Sequence, residues 1–267
     1  MTTSHTAHTL LIEGPDAIAF AQSQFSNNLA ALPDGQWQFS AWLDAQGRVR
    51  ALFHLARLDG ERLLLLLRGG NADELAAALQ RFVFRAKLRL TPTSTAALGS
   101  GPAQALHEVR RDGDFVSLGC GDHALQFGDG MRGDDAWRMP QLRAGWAWLP
   151  AGVAGTLLPP ALSLYRLRAV ALDKGCYPGQ EIVARLHYRG GHKRHLHRVT
   201  LSRAATDGTM LHVDDRDAVQ LLQVVPREQG AEALAVIPDE LAGRASPAMS
   251  ITTNGGLQLH PEARWND

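Results

Sequence analysis

Short apolar stretches separated by turn-forming residues fill the end of the chain, and they constrain its fold more than any other feature. Each stretch is three to eight residues long, which is typical of strands and too short for most helices. A series of short strands at close spacing predicts a small β-sandwich or β-barrel. The six predicted strands cover residues 199–201, 210–213, 218–225, 233–237, 249–253 and 257–260, with turns at residues 214–215 and 254–256.

The N-terminal part of the chain predicts an α+β arrangement, because strand and helix patterns alternate there. Gly14-Pro15-Asp16 predicts the start of one helix, and Asn71 followed by Glu74 predicts the N-cap of another. Asp59-Gly60 is a hairpin signal. The predicted strands cover residues 9–13, 36–43, 49–58, 61–67 and 87–90.

Three later segments predict irregular structure or boundaries. Residues 91–101 are rich in Thr, Ser, Gly and Pro and predict a linker, and residues 128–135 are polar and rich in Gly. Residues 137–164 are dense in Trp, Pro and Gly, which favours strands and irregular loops over helix. We expect a main region over residues 1–190 and a C-terminal region over residues 191–267.

Composition limits the classes of function. Lys plus Arg and Asp plus Glu balance at 27 each, so the net charge favours no particular partner. With only Cys120 and Cys176, disulfides do not stabilise the fold, and we expect a protein of the reducing cytoplasm. The N-terminus lacks the layout of a secretion signal, and the longest aliphatic run, residues 63–67, is far shorter than a membrane helix.

The segment Lys174-Gly175-Cys176-Tyr177-Pro178-Gly179-Gln180-Glu181 carries the chemistry. Pro178-Gly179 predicts a tight turn with Gly179 at positive φ, and Gln180-Glu181 predict the start of a short helix. Lys174 and a helix N-terminus both favour a thiolate at Cys176, suited to nucleophilic or metal-linked chemistry. A buried, inert thiol at a structural turn is the alternative.

The basic residues after this segment suggest two further kinds of site. Four histidines could ligate a metal ion: His187, His192, His195 and His197. Because no second cysteine lies nearby in the sequence, we expect no metal site here and favour a solvated basic strand. Arg185 and Arg189 suit phosphates or the glutamate tail of a folate. Because the net charge is zero and the sequence suggests no basic surface with interleaved aromatics, we do not expect direct nucleic-acid binding.

The cysteine segment resembles the signature of the YgfZ family, which are folate-binding relatives of the glycine-cleavage T-protein, an aminomethyltransferase. Residues 11–17, 44–48, 82–87 and 137–145 are similar to other parts of that family. The resemblance implies an α+β, T-protein-like folate-binding body with a small C-terminal β-barrel. The body would contain two interleaved subdomains, with an insertion beginning near residue 49.

The resemblance also implies which residues act. Cys176 matches the required cysteine of the family, with Lys174 beside it as a second catalytic residue. Trp137 is implied to line the folate site. The remaining implied contacts to tetrahydrofolate are Tyr177, Gly179, Gln180, Glu181, Arg185 and Arg189.

The implied function is that of an accessory protein in the assembly or repair of iron–sulfur enzymes, and thereby in tRNA modification. Its partners would be a folate and transient iron–sulfur clients, and we expect a monomer. The alternatives are a folate-dependent one-carbon transferase and a non-catalytic scaffold. T-proteins carry a catalytic aspartate in the strand after the first hairpin, whereas residues 50–58 here contain no carboxylate. The segment from His5 to His8 occupies the region where the family has an N-terminal Trp of the folate site.

Overall fold

The computed structural model describes residues 5–214, 216–244 and 250–265. These residues form two compact units. Unit 1 comprises the described residues of Met1–Leu43, Ala51–Trp137 and Arg168–Pro178. Unit 2 comprises those of Asp44–Arg50, Arg138–Leu167 and Gly179–Asp267. The boundary that the sequence suggests at residue 190 stays a prediction.

Unit 1 is built around an eight-stranded sheet with the order β2-β3-β4-β1-β5-β8-β7-β6. Strand β1 lies inside the sheet, where it pairs antiparallel with both β4 and β5. The strands are β1 (Thr6–Glu13), β2 (Gln36–Leu43), β3 (Val49–Asp59), β4 (Arg62–Leu67), β5 (Arg89–Gly101), β6 (Val109–Asp112), β7 (Phe115–Gly119) and β8 (Ala124–Gly128), and the helices are α1 (Ala17–Gln24) and α2 (Ala72–Gln80).

The apolar faces of α1 and α2 pack with the sheet in one core, which includes the fully buried Phe25, Phe53 and Leu79. Helix α2 begins where the sequence predicts, because the Asn71 side chain accepts hydrogen bonds from the backbone N–H groups of Asp73 and Glu74, at 2.8 and 3.2 Å. Capping and burial of one face therefore explain why this segment is helical.

Unit 2 contains a six-stranded sheet with the order β10-β11-β12-β9-β14-β13. The backbone N–H of Asn254, just after β13, donates to the carbonyl of His212 in β10 at 3.0 Å, so the two edges approach and the sheet is a nearly closed barrel. The predicted C-terminal barrel is thus confirmed. The strands are β9 (Arg194–Leu201), β10 (Met210–Val213), β11 (Arg216–Pro226), β12 (Ala231–Pro238), β13 (Ile251–Thr252) and β14 (Gln258–Arg264), and the helices are α3 (Arg138–Arg143), α4 (Gln180–Arg189) and α5 (Asp239–Arg244).

Two predictions about irregular segments were wrong. Residues 91–101 are no linker, since they form most of the 13-residue strand β5, which pairs with β1 on one side and β8 on the other. Residues 137–164 contain no strand; they hold α3 and two 3-10 helices, Ala151–Val153 and Pro159–Leu162. Of the predicted elements near the C-terminus, Asp215 and Met249 lie outside the described residues.

Candidate functional site

The turn before helix α4 has the geometry that the sequence predicts. Gly179 has φ +78° and ψ 0°, as at the third position of a type II turn. Its carbonyl accepts the backbone N–H groups of Ile182 and Val183 at 3.1 and 3.2 Å, so α4 begins directly after it. A Cβ here would lie 2.5 Å from the carbonyl oxygen of Asp44 and 2.8 Å from the Cα of Gly47. The site therefore requires glycine for conformation and for space.

Helix α4 carries three of the predicted ligand residues in one line. Glu181, Arg185 and Arg189 are all exposed and follow one another at intervals of four residues, so they share a face of the helix. Gln180 is half-buried. The buried Val183 lies on another side, and its carbonyl accepts the hydroxyl of Tyr165 at 2.8 Å. Glu181 in the first turn and Arg189 in the last both complement the helix dipole.

Lys174 is held against the backbone of unit 1. Its ammonium donates to the carbonyl oxygens of Phe25 and Asn27, at 2.6 and 2.9 Å. Burial lowers the pKa of Lys174 to about 8, whereas the two carbonyl acceptors favour the ammonium form. The same nitrogen lies 5.2 Å from the centroid of the Tyr177 ring, a cation–π arrangement. The structure thus brings Lys174 and Tyr177 together, and the catalytic role that the resemblance implies for Lys174 stays a prediction.

Tyr177 is buried next to the exposed cysteine. It is 6% exposed, and its hydroxyl donates to the carbonyl of Ala171 at 3.2 Å. Burial raises the pKa of Tyr177 to about 12, so the side chain is a neutral phenol. A buried ring immediately after Cys176 fixes the backbone from which the thiol projects.

The two cysteines differ in access. Cys176 is exposed, and its neighbour Gly175 has open space around its Cα. Cys120 is buried, its Sγ donates to the carbonyl of Leu118 at 3.4 Å, and burial raises the pKa of its thiol to about 12. Only Cys176, of the two, offers a thiol that a substrate can reach.

Ser26 and Asn27, which the sequence did not single out, anchor the segment that leads to Cys176. The Ser26 hydroxyl donates to the carbonyl of Ala169 at 2.7 Å. The Asn27 amide donates to the carbonyls of Phe39 and Arg168, at 2.8 and 2.6 Å. Both side chains are buried. The signal available in the sequence was a Ser-Asn pair just after the end of helix α1, where such side chains often bond to backbone groups.

Trp137 lies in a second neighbourhood of unit 1. It is 1% exposed, and its indole N–H donates to the carbonyl of Asp134 at 2.9 Å. The ring of His5 packs edge-on against it at 5.3 Å, and the Nδ1 of His5 lies 2.7 Å from a carboxylate oxygen of Asp135. The Asp134 carboxylate accepts the hydroxyl of Ser100 at 2.7 Å. His5 therefore packs beside Trp137.

The solvated-strand interpretation of the histidines was wrong for His197, which is 4% exposed in β9. Burial lowers the pKa of His197 to about 4, with the nearby Arg264 acting in the same direction. His195 is half-buried, with its Nδ1 2.6 Å from a carboxylate oxygen of Asp239. Within the described part of the chain, no three His, Cys, Asp or Glu residues are grouped to hold a metal ion. Nor does any helix there have the length and apolar character that a membrane crossing requires.

Comparisons with known proteins agree with these features. No family model matches the chain. It is 27% identical over 222 residues to the "tRNA-modifying protein YgfZ" of Serratia proteamaculans, a match that covers 70% of this chain and 66% of the relative. The chain thus spans slightly under two thirds of that relative's length. Over a longer match, it is 24% identical to the protein of the same name from Sodalis glossinidius, with 94% of this chain and 88% of the relative covered.

The fold has a solved counterpart. The crystal structure of the glycine cleavage system aminomethyltransferase T from Bartonella henselae superposes with a TM-score of 0.71 at 16% identity, covering 97% of this chain and 86% of that one. The resemblance to the YgfZ family that the cysteine segment predicts is therefore confirmed, on the fold of aminomethyltransferase T.

Proposed function

We propose that this protein is a folate-binding accessory factor that acts in the assembly or repair of iron–sulfur enzymes, and thereby in tRNA modification. The observation that carries the proposal is the exposed thiol of Cys176 on a segment fixed by Lys174, Tyr177 and Asn27. A thiol that is both accessible and held in place suits attack on a substrate or transient ligation of a cluster. The names of the YgfZ relatives support the link to tRNA modification.

The proposed ligand is tetrahydrofolate, and the chemistry of the predicted residues fits it. Arg185 and Arg189 are exposed guanidinium groups on one face of α4, which suits the carboxylates of a folate tail. Trp137 is held by Asp134 and His5, so it would act as a fixed wall of the folate site. Tyr177, Gly179, Gln180 and Glu181 would complete the contacts. When bound, the folate would supply one-carbon or redox chemistry; the residues of this chain bind and orient it.

A one-carbon transferase has less support. Strand β3 contains no carboxylate before Asp59, and Asp59 is engaged with Arg62, whose Nε donates to it at 2.7 Å. The strand therefore offers no free aspartate that could act as the catalytic residue of aminomethyl transfer. A scaffold without chemistry remains as the second alternative, and it predicts that the Cys176 thiol is dispensable.

Complementation tests the role of the thiol. In a bacterial strain that lacks its own YgfZ protein, the wild-type chain should restore the activity of iron–sulfur enzymes, whereas Cys176→Ala should not. Cys120→Ala is the matched control, because it removes a thiol that is buried, and it should complement. Immunoblots establish that the variants accumulate equally. Equal complementation by Cys176→Ala would favour the scaffold and contradict the proposal.

Calorimetry tests the ligand. Tetrahydrofolate should bind the wild-type protein, and Arg185→Gln and Arg189→Gln should each weaken binding about tenfold, since a charge-assisted hydrogen bond contributes roughly 1.5–3 kcal/mol. Lys193→Gln, at another exposed cation of unit 2, is the control and should bind as wild type. No heat at millimolar tetrahydrofolate would remove folate from the proposal.

A further inference from the structure

The connection between α2 and β5 exposes aromatic rings among cations. Phe84 is 87% exposed and Phe82 is 42% exposed, which places them among the few large apolar side chains at the surface of the described residues. Arg81, Arg85 and Lys87 lie within three residues of Phe84 in the sequence and are exposed as well. We call residues 81–89 the aromatic–basic segment. It corrects the expectation that the chain has no basic surface with interleaved aromatics.

The segment is held rigidly. Val83 and Leu88 pack against the core of unit 1, so the chain is anchored on either side of Phe84. The carboxylate of Asp16 accepts the backbone N–H of Lys87 at 2.7 Å. The ring of Phe82 meets Trp42 edge-on at 6.4 Å. Phe84 is therefore displayed on a fixed backbone, and a ligand that used it would pay little ordering entropy.

Three of the four cations of the aromatic–basic segment form no ion pair with a described residue. Arg89 forms an ion pair with Glu13, and no acidic residue occurs in the segment itself. Among the described residues, Arg81, Arg85 and Lys87 form no ion pair. Three unpaired cations thus flank one fully displayed ring, although the protein as a whole has zero net charge.

We propose that the aromatic–basic segment binds single-stranded nucleic acid, with a base stacked on Phe84 and phosphates near Arg81, Arg85 and Lys87. Sequence-tolerant binding of single strands combines these two features, an aromatic platform for unpaired bases and cations that follow the backbone. An acidic protein surface would use the cations but would leave the exposed ring without a matching partner. This site goes beyond the proposed function, since it involves neither Cys176 nor the proposed folate contacts.

Fluorescence anisotropy with labelled 12-residue oligouridine and oligothymidine tests the proposal. Binding should weaken with salt, with a slope of log K against log salt of about −2 for three phosphate contacts. Phe84→Ala should weaken binding about fivefold or more, as expected for loss of one stacked base, and Phe84→Trp should preserve it. Arg85→Gln should reduce the magnitude of the slope by about 0.7. Stronger binding of one oligonucleotide shows which of the two single strands the site prefers, and binding of either supports the site.

A second aromatic residue provides the control. Tyr188 on α4 is 75% exposed and follows Arg185, so Tyr188→Ala removes an exposed ring in a basic setting elsewhere. If Tyr188→Ala binds the oligonucleotides as tightly as the wild type, the result supports the assignment to the aromatic–basic segment. An equal loss of affinity in Tyr188→Ala and Phe84→Ala would show that the site is not specific to this segment. Oligoglutamate bound as tightly as the oligonucleotides, or no oligonucleotide binding at low salt, would overturn the proposal. Folate binding by Phe84→Ala, measured in parallel, separates this outcome from failure of the proposed function.

Discussion

Replacing Gly179 by alanine should destabilise unit 2 by about 3 kcal/mol. The left-handed conformation, φ +78°, costs an L-residue roughly 1–2 kcal/mol. The new Cβ would also lie 2.5 Å from the carbonyl oxygen of Asp44 and 2.8 Å from the Cα of Gly47, both backbone atoms that cannot rotate away. Overpacking of this kind adds roughly 1–3 kcal/mol.

Gly256→Ala provides the matched control for the conformational part of this cost. Gly256 also lies in unit 2 and has φ +71°, but no atom lies within 4 Å of where its Cβ would be. It should therefore lose only about 1 kcal/mol. Urea unfolding followed by circular dichroism measures both variants. Equal destabilisation by the two substitutions would show that the contact with Asp44 and Gly47 does not constrain the turn, and the explanation of the glycine by space would be refuted.

Two further substitutions test the buried polar groups. Asn27→Ala should lower the free energy of unfolding, measured in urea, by about 2–4 kcal/mol, because it leaves the carbonyls of Phe39 and Arg168 without their donor. Asn28→Ala, at a half-buried neighbour, should lower it by less. A larger loss for Asn28→Ala than for Asn27→Ala would contradict the anchoring role of Asn27. Burial holds the pKa of His197 at about 4 in the folded protein, below the ordinary 6.5 of histidine, so the unfolded chain binds the proton first and stability should fall as pH drops from about 6.5 towards 4. Thermal melts from pH 7 to pH 5 should show a smaller decrease for His197→Leu than for the wild type, and identical decreases would exclude this histidine as a cause.

Local sequence signals predicted the regular elements well where one face is buried. Strand β2 ends at the predicted residues, and the capped start of α2 was correct, because alternation and capping act within a few residues. Strand β5 was missed since its Thr, Ser, Gly and Pro residues have the composition of a linker. What makes it a strand is its place between β1 and β8, which local composition cannot encode.

The candidate site divides in the same way. The positive φ of Gly179 and the start of α4 follow from Pro178-Gly179 and were predicted. The anchoring role of Asn27 was not predicted, because its side-chain amide bonds to the carbonyl of Arg168, 141 residues away in the sequence. The display of Phe84 was also missed, since it depends on how Val83 and Leu88 pack against the core.

The attachment of the cysteine segment to Ser26 and Asn27 has a consequence for the order of folding. These contacts join residues separated by 141 to 147 positions, so they close very long loops, which is entropically costly and slow. During synthesis, the sheet of unit 1 can form before residues 168–178 have left the ribosome. The Asn27 amide can donate to the carbonyl of Arg168 only after that segment has emerged. We therefore expect the Cys176 segment to be among the last parts of unit 1 to become ordered, so that its thiol takes its final position only when the rest of unit 1 has formed.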